Sequence, residues 1–106
     1  MYMQTLADIY RKQASYDNAE ELYVKALDIN RHAYGDTHPS VAENLDSLGR
    51  VLKKKGEYEK AKPLYLQALD IVEKIYGPDH IKIALICTDL ADVERKLGKS
   101  STAYEL

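Results

Sequence analysis

The feature that most constrains the fold of this chain is an internal repeat with a period of 42 residues. The offset appears first between Leu6 and Leu48, and it continues without a gap. A third copy includes Leu90 and Gly98. The same offset aligns Tyr16 with Tyr58, Ala19 with Ala61, Leu22-Tyr23 with Leu64-Tyr65, Ala26-Leu27-Asp28-Ile29 with Ala68-Leu69-Asp70-Ile71, Tyr34-Gly35 with Tyr76-Gly77, His38 with His80 and Ala42 with Ala84. A period of this length is typical of proteins that stack supersecondary units.

The complete central copy predicts two helices. Pro39 suits the first helical turn because its missing N–H costs nothing there. Gly56 is expected to end the first helix, since glycine tolerates a positive φ. A turn at Gly77-Pro78-Asp79 is expected to end the second. The apolar positions recur at spacings of three and four: Val41, Ala42, Leu45, Leu48, Val51 and Leu52 in the first helix, and Ala61, Leu64, Tyr65, Ala68, Leu69, Val72 and Ile75 in the second.

The first copy repeats this plan, with turns expected at Ser15-Tyr16-Asp17 and at Gly35-Asp36-Thr37. No segment alternates between polar and apolar residues for long enough to indicate a strand. The chain is therefore predicted to be all-α.

Small residues predict where helices approach closely. Larger side chains at Gly49, Ala61 and Ala68 would push the helix axes apart. Tyrosine replaces Phe and Trp completely, with 9 Tyr in the chain, and we expect Tyr16, Tyr23, Tyr58 and Tyr65 to be core residues rather than a platform for a ligand. Cys87 is the counterpart of Leu45 and Met3, which predicts a buried apolar position.

Composition narrows the classes of function. The net charge of −2 argues against a nucleic-acid-binding protein. No apolar run approaches the roughly 18 residues of a membrane span, and Met1-Tyr2-Met3-Gln4 does not begin a signal peptide. The single Cys87 fits a reducing compartment. We therefore expect a cytoplasmic protein without membrane or nucleic-acid partners.

The repeat resembles a known family. Its pattern is similar to the tetratricopeptide repeat, which is usually about 34 residues long. The longer period, and the segment from Gly35 to Ala42, resemble kinesin light chains. The residues that carry the tetratricopeptide resemblance are Leu48-Gly49, Leu52, Gly56, Tyr58, Ala61, Leu64-Tyr65 and Ala68-Leu69.

One departure concerns the positions that line the cargo groove in kinesin light chains. Kinesin light-chain repeats tend to carry an Asn pair at those positions, whereas this chain has Gln4-Thr5, Asp46-Ser47 and Thr88-Asp89. The cargo specificity of that family is therefore not carried over.

The resemblance implies a right-handed α-solenoid of antiparallel helix pairs. Five full or nearly full helices and a C-terminal stub are expected. The domain spans residues 1–106, with repeats at about 1–38, 39–80 and a partial repeat at 81–106. The chain is expected to be part of a longer array, because terminal repeats need a cap or a neighbour over their apolar face.

The resemblance also implies that the first helix of each pair lines a concave face. Helical spacing then gives candidate peptide-binding positions: Gln4, Asp8, Arg11 and Lys12 in the first copy, Glu43, Asp46, Arg50, Lys53 and Lys54 in the second, and Leu85, Thr88, Asp92, Arg95 and Lys96 in the third.

A basic pair recurs among these positions in every copy, and two interpretations of it stay open. The basic ridge, Arg11-Lys12, Lys53-Lys54 and Arg95-Lys96, would hold an acidic peptide or a free C-terminal carboxylate by charge-assisted hydrogen bonds. Alternatively, these cations bind no ligand and only stabilise the C-terminal ends of their helices, where the helix dipole is negative. Acidic residues one turn away are expected to pair with them, as Asp8 with Arg11 or Lys12 and Asp92 with Arg95 or Lys96.

No catalytic or cofactor motif is found. His38 and His80 are expected to bond loop backbone or cap the next helix. We therefore predict a non-enzymatic scaffold without a cofactor that binds a protein or peptide, with an acidic segment as one candidate. The alternative is a self-associating segment that stacks or swaps helices through apolar residues at its ends, around Met1, Met3, Leu97, Tyr104 and Leu106.

Overall fold

The described part of the chain is entirely helical and loop. A computed structural model describes residues 6, 8, 9, 11, 12 and 15–105, with side chains as far as Gly98. The helices with defined bounds are α1 (Tyr16–Tyr34), α2 (Pro39–Lys54), α3 (Tyr58–Tyr76) and α4 (Ile81–Glu105). The described residues before α1 are helical as well: Leu6, Asp8, Ile9, Arg11 and Lys12. The all-α prediction is confirmed, whereas the count of five helices and a stub is not, since four helices have defined bounds.

The ends of α2 form as the sequence predicts. Pro39 opens the helix, and His38 caps it by accepting a hydrogen bond at Nδ1 from the backbone N–H of Ser40 at 3.1 Å. At the other end, Gly56 has φ +82°. The backbone N–H of Glu57 donates to the Leu52 carbonyl at 2.9 Å, as in a Schellman motif. The contacts at Gly56 and Glu57 fix the turn between α2 and α3.

The third copy departs from prediction at Gly98. Helix α4 runs from Ile81 to Glu105 without a break, so the expected turn and separate C-terminal stub are wrong. In the second copy, Tyr58 follows the turn and packs on the core, but the equivalent position here is Ser100. Serine has no aromatic ring to pack in this way, and continuing the helix keeps its backbone hydrogen bonds satisfied.

Each helix packs mainly against its neighbours in the chain: α2 against α1 and α3, and α4 against α3. The core contains fully buried Tyr23 and Tyr65, with Tyr16 and Tyr58 half-buried against it, as predicted. A Cβ added to Gly49 would lie 3.0 Å from Cζ of Tyr65, which confirms the expected close approach. Two layers result: a first-helix layer containing α2, α4 and the helical residues before α1, and a second-helix layer containing α1 and α3.

Cys87 was predicted to be buried and is exposed. Its counterpart Leu45 is fully buried because α2 lies between α1 and α3. Helix α4 packs against α3 on one side, so the face that carries Cys87 is open. Leu97, one of the predicted exposed apolar residues, is half-buried against the core. Met1, Met3, Tyr104 and Leu106 lie outside the described side chains.

Candidate peptide-binding face

The candidate site is built on the shared face of the first-helix layer. Asp46, Arg50 and Lys53 follow one another on α2 at spacings of four and three, which places them along one side of the helix. Asp89 and Asp92 lie on the facing side of α4 and contact these cations. The face is therefore defined by two helices from successive repeats.

A continuous chain of six alternating charges crosses from α2 to α4. Arg50 Nη2 lies 3.3 Å from Asp46 Oδ2, and Arg50 Nε donates to Asp89 Oδ2 at 3.2 Å. Lys53 Nζ lies 3.3 Å from the other oxygen of Asp89 and 3.4 Å from Asp92. Arg95 closes the chain at 2.7 Å from Asp92. We call these residues the six-charge chain: Asp46, Arg50, Asp89, Lys53, Asp92 and Arg95.

The six-charge chain is electrically balanced, with three cations and three carboxylates. Burial raises the pKa of Asp46, although the nearby Arg50 opposes that shift. At the other end, the hydrogen bond from Arg95 and then that from Lys53 lower the pKa of Asp92. A balanced network presents little net charge, so this part of the predicted basic ridge does not attract an acidic ligand by its charge alone.

A cationic depression lies beside the six-charge chain, between the first and second copies. It encloses about 320 Å³. Its charged lining has five cations and a single carboxylate, that of Asp89. The residues of the cationic depression are Arg11, Lys12, Tyr16, Arg50, Lys53, Lys54 and Asp89.

The cations of the depression differ in how far they are neutralised. Arg11 Nη2 lies 3.7 Å from Asp8, a predicted pair that is confirmed. Lys12 and Lys54 are exposed, and among the described residues neither forms an ion pair. The depression therefore retains an excess of positive charge.

An apolar groove opens at the other end of the same face, between α2 and α4. It encloses about 220 Å³. Leu85 and Ile86 of α4 line it, and Leu85 is 54% exposed. Its remaining lining is Pro39, Ala42, Val72 and Tyr76, with a charged rim of Glu43, Asp46, Arg50 and Lys82.

The other predicted positions have local partners. Glu43 lies 3.8 Å from Lys82 at the rim of the apolar groove. The hydroxyl of Thr88 donates to the Ala84 carbonyl of its own helix at 2.9 Å. Lys96 Nζ lies 5.9 Å from the centre of the Tyr58 ring. Gln4 is outside the described residues. The predicted Asp92–Arg95 pair is confirmed, and Lys53 joins it from the neighbouring helix.

Asp89 is a functional candidate that the repeat pattern does not predict. In the sequence it belongs to the Thr88-Asp89 pair that replaces an Asn pair, but it is not one of the predicted peptide-binding positions. The repeat contained a signal, because Thr5 and Ser47 occupy the equivalent positions and Asp89 alone is charged. Tyr16 was predicted to be a core residue, and it also lines the cationic depression. Tyr76, for which the sequence predicted no role, lines the apolar groove.

Comparison with known families agrees with this architecture. A family model described as the tetratricopeptide repeat matches residues 1–74 and 47–106, which together cover the chain. A comparison with curated proteins finds no significant match. The fold and the repeat define a helical repeat protein of the kind that typically serves as a non-enzymatic scaffold. The chain belongs to the tetratricopeptide repeat family, whose repeats generally mediate protein–protein interaction.

Two negative findings concern the described residues alone. None of their helices combines the length and the apolar character needed to cross a membrane. No group of three or more His, Cys, Asp or Glu side chains in that part of the chain is arranged to hold a metal ion.

Proposed function

We propose that this chain is an interaction scaffold that binds an extended acidic segment of a partner protein along the first-helix layer. The observation that carries the proposal is the cationic depression, where Lys12 and Lys54 lie beside the paired Arg11, Arg50 and Lys53 and form no ion pair with a described residue. Carboxylates of a partner would accept charge-assisted hydrogen bonds from Lys12, Lys54 and Arg11. An apolar side chain further along the same segment would enter the apolar groove beside Leu85.

The experiment changes Lys12 and Lys54, the two cations of the depression that form no ion pair with a described residue. We expect Lys12→Glu with Lys54→Glu to weaken binding of a fluorescent hexaglutamate peptide by about tenfold or more at low salt, because two attractive charges become repulsive. Salt should weaken binding to the unchanged protein in the same assay. Anisotropy titrations at several salt concentrations would measure both effects.

The matched control makes the same change of charge on the other layer. Lys25→Glu with Lys74→Glu alters exposed lysines of α1 and α3, whose partners are Glu21 at 3.3 Å and Asp70 at 3.0 Å. This control should bind the peptide nearly as well as the unchanged protein. Equal loss in both double variants would show that only net charge matters and would overturn the assignment of the site.

The proposal includes finer features of the array. We infer that the two layers curve as a right-handed solenoid with the first-helix layer on its concave face, and that the chain forms part of a longer array of the kinesin light-chain-like type. The domain would then comprise repeats at about 1–38, 39–80 and 81–106 in a cytoplasmic protein. The 42-residue period supports this proposal.

A second candidate function, self-association, is favoured by the open face of α4. Ala84, Cys87 and Ala91 are exposed there. The equivalent residues of α2 are Ala42, Leu45 and Gly49, and all three are buried. Helices of a second copy would cover this face by end-to-end stacking or exchange. Sedimentation across a concentration series tests it, and a strict monomer at high concentration would contradict it.

A further inference from the structure

The position occupied by Asp89 differs in charge among the three copies. Thr5 and Ser47 are neutral, whereas Asp89 carries a carboxylate between the second and third copies. Its side chain is only 18% exposed. Both of its oxygens are used, one by Arg50 Nε at 3.2 Å and the other by Lys53 Nζ at 3.3 Å. Asp89 therefore bridges Lys53 of the predicted basic ridge and Arg50, which was predicted to lie on the same face.

This arrangement is the one that a ligand carboxylate would adopt. A carboxylate bound to a basic ridge accepts from two cations at once, one through each oxygen. Asp89 supplies that carboxylate from within the chain, and Asp92 supports it by contacting Lys53 at 3.4 Å. The Arg50 and Lys53 side chains thus have their anionic partner before any ligand arrives.

We propose that Asp89 is a specificity-determining residue, an internal substitute for a ligand carboxylate that confines acidic partners to the Lys12 and Lys54 part of the cationic depression. This inference rests on the proposed function, because it concerns which cations of that site remain available. Without the Asp89 charge the six-charge chain carries a net charge of +1, and the acidic segment extends across Arg50 and Lys53 toward α4.

A purely structural role for Asp89 makes a different prediction. If the carboxylate served only to join α2 to α4, its loss would lower stability and leave the binding of acidic peptides unchanged or weaker. If it occupies the site, its loss strengthens that binding. The two roles are therefore separated by a gain of affinity, which a merely damaged interface does not produce.

The test compares Asp89→Asn and Asp89→Ser with the unchanged protein, using fluorescent hexaglutamate at low salt. Asn keeps the size of the side chain and removes its charge, and Ser restores the residue found at position 47. We expect either variant to bind about tenfold more tightly than the unchanged protein, with a steeper dependence on salt. Thermal melting followed by circular dichroism identifies the variant that retains its fold.

Glu94→Gln is the matched control. It removes one negative charge from the same helix, but Glu94 faces Lys62 at 3.8 Å, away from the six-charge chain. Tighter binding of hexaglutamate by the Asp89 variants, without tighter binding by Glu94→Gln, supports the inference. Equal tightening in all three variants, or unchanged affinity in the folded Asp89 variants, overturns it.

The outcomes also separate this inference from the proposed function. Binding by the unchanged protein without a gain in the Asp89 variants overturns the inference and leaves the proposed function standing. Binding only by the Asp89 variants overturns acidic binding by the unchanged chain, and with it the confinement of acidic partners to Lys12 and Lys54. Absence of binding in every protein overturns both.

Discussion

Asn30 on α1 donates a side-chain hydrogen bond to Asn44 on α2, and both residues are buried. One repeat later, the equivalent positions are Val72 and Ile86, which are also buried. The junction between α1 and α2 thus contains a buried polar pair, whereas the equivalent junction between α3 and α4 contains apolar residues at the same positions. A buried polar pair depends on both of its partners, whereas an apolar pair does not.

Replacing both asparagines together should destabilise the protein far less than replacing one of them. Asn30→Val alone removes the donor to Asn44 and should cost about 1–3 kcal/mol in the free energy of unfolding. Asn30→Val with Asn44→Ile copies the second junction and should restore stability to within about 1 kcal/mol of the unchanged protein. Urea unfolding of the four proteins in a double-mutant cycle measures the coupling. Additive costs would contradict this account.

The hydroxyls of Tyr23 and Tyr65 should contribute differently although the residues are equivalent. Tyr23 donates a hydrogen bond to Asp8. At the position equivalent to Asp8, the second copy has Arg50, which cannot accept a hydrogen bond. The buried hydroxyl of Tyr65 therefore has no hydrogen-bond partner among the described residues. We expect Tyr23→Phe to cost about 1 kcal/mol and Tyr65→Phe to be neutral or slightly stabilising. Chemical denaturation compares them, and equal costs would argue against the difference.

Alanine should have opposite effects at two helical glycines. A Cβ added at Gly98 would have no neighbouring atom within 4 Å. Gly98→Ala should therefore stabilise the helix by up to about 1 kcal/mol. At Gly49 the same gain is opposed by the buried Tyr65 ring, which the new Cβ would approach to 3.0 Å. We expect Gly49→Ala to destabilise by about 1 kcal/mol in net terms. Thermal melts of both variants measure the difference.

The Gly98 variant also tests the continuity of α4. Gly56 and Gly77 have positive φ, which strains any residue with a Cβ, whereas Gly98 is helical. Destabilisation by Gly98→Ala would therefore mean that α4 ends at this glycine, as the repeat pattern alone predicts.

The histidines of the two inter-repeat loops should act as helix caps. His38 Nδ1 accepts from the Ser40 N–H, and the ring stacks on Tyr34 with centroids 4.2 Å apart. His80 repeats both contacts, with Lys82 N–H at 3.1 Å and Tyr76 at 4.4 Å. We expect His38→Ala to cost about 1 kcal/mol and His38→Asn to cost less, because Asn also accepts at an N-cap. Urea unfolding at constant pH ranks the variants, and equal costs for Ala and Asn would contradict capping.

Much of the fold was predictable because the relevant interactions are local. Pro39, Gly56 and Gly77 mark helix ends through constraints on their own backbone, and apolar spacing identifies the buried face of each helix. One exception is also local in origin, and the other depends on tertiary packing. Gly98 does not end its helix because Ser100 replaces the tyrosine that follows the other turns, and Cys87 is exposed because α4 is packed on one side.

The candidate site was predictable only within each helix. Spacing along the chain correctly paired Asp8 with Arg11 and Asp92 with Arg95, since such pairs depend on the helical period alone. It did not predict that Asp89 would meet Arg50 and Lys53, more than 35 positions earlier. Contacts of that kind depend on the relative rotation and axial shift of two helices.

The sequence by itself determined the repeat, the helical class and the faces that each helix buries, because these follow from near neighbours in the chain. The tertiary structure alone decided that Asp89 of α4 meets Arg50 and Lys53 of α2. Packing of Tyr65 against Gly49 joins α2 to α3, and α3 in turn supports α4, which brings Asp89 to the cations of α2. An ion pair between helices needs that geometry to within an ångström or so, and no helical periodicity encodes it.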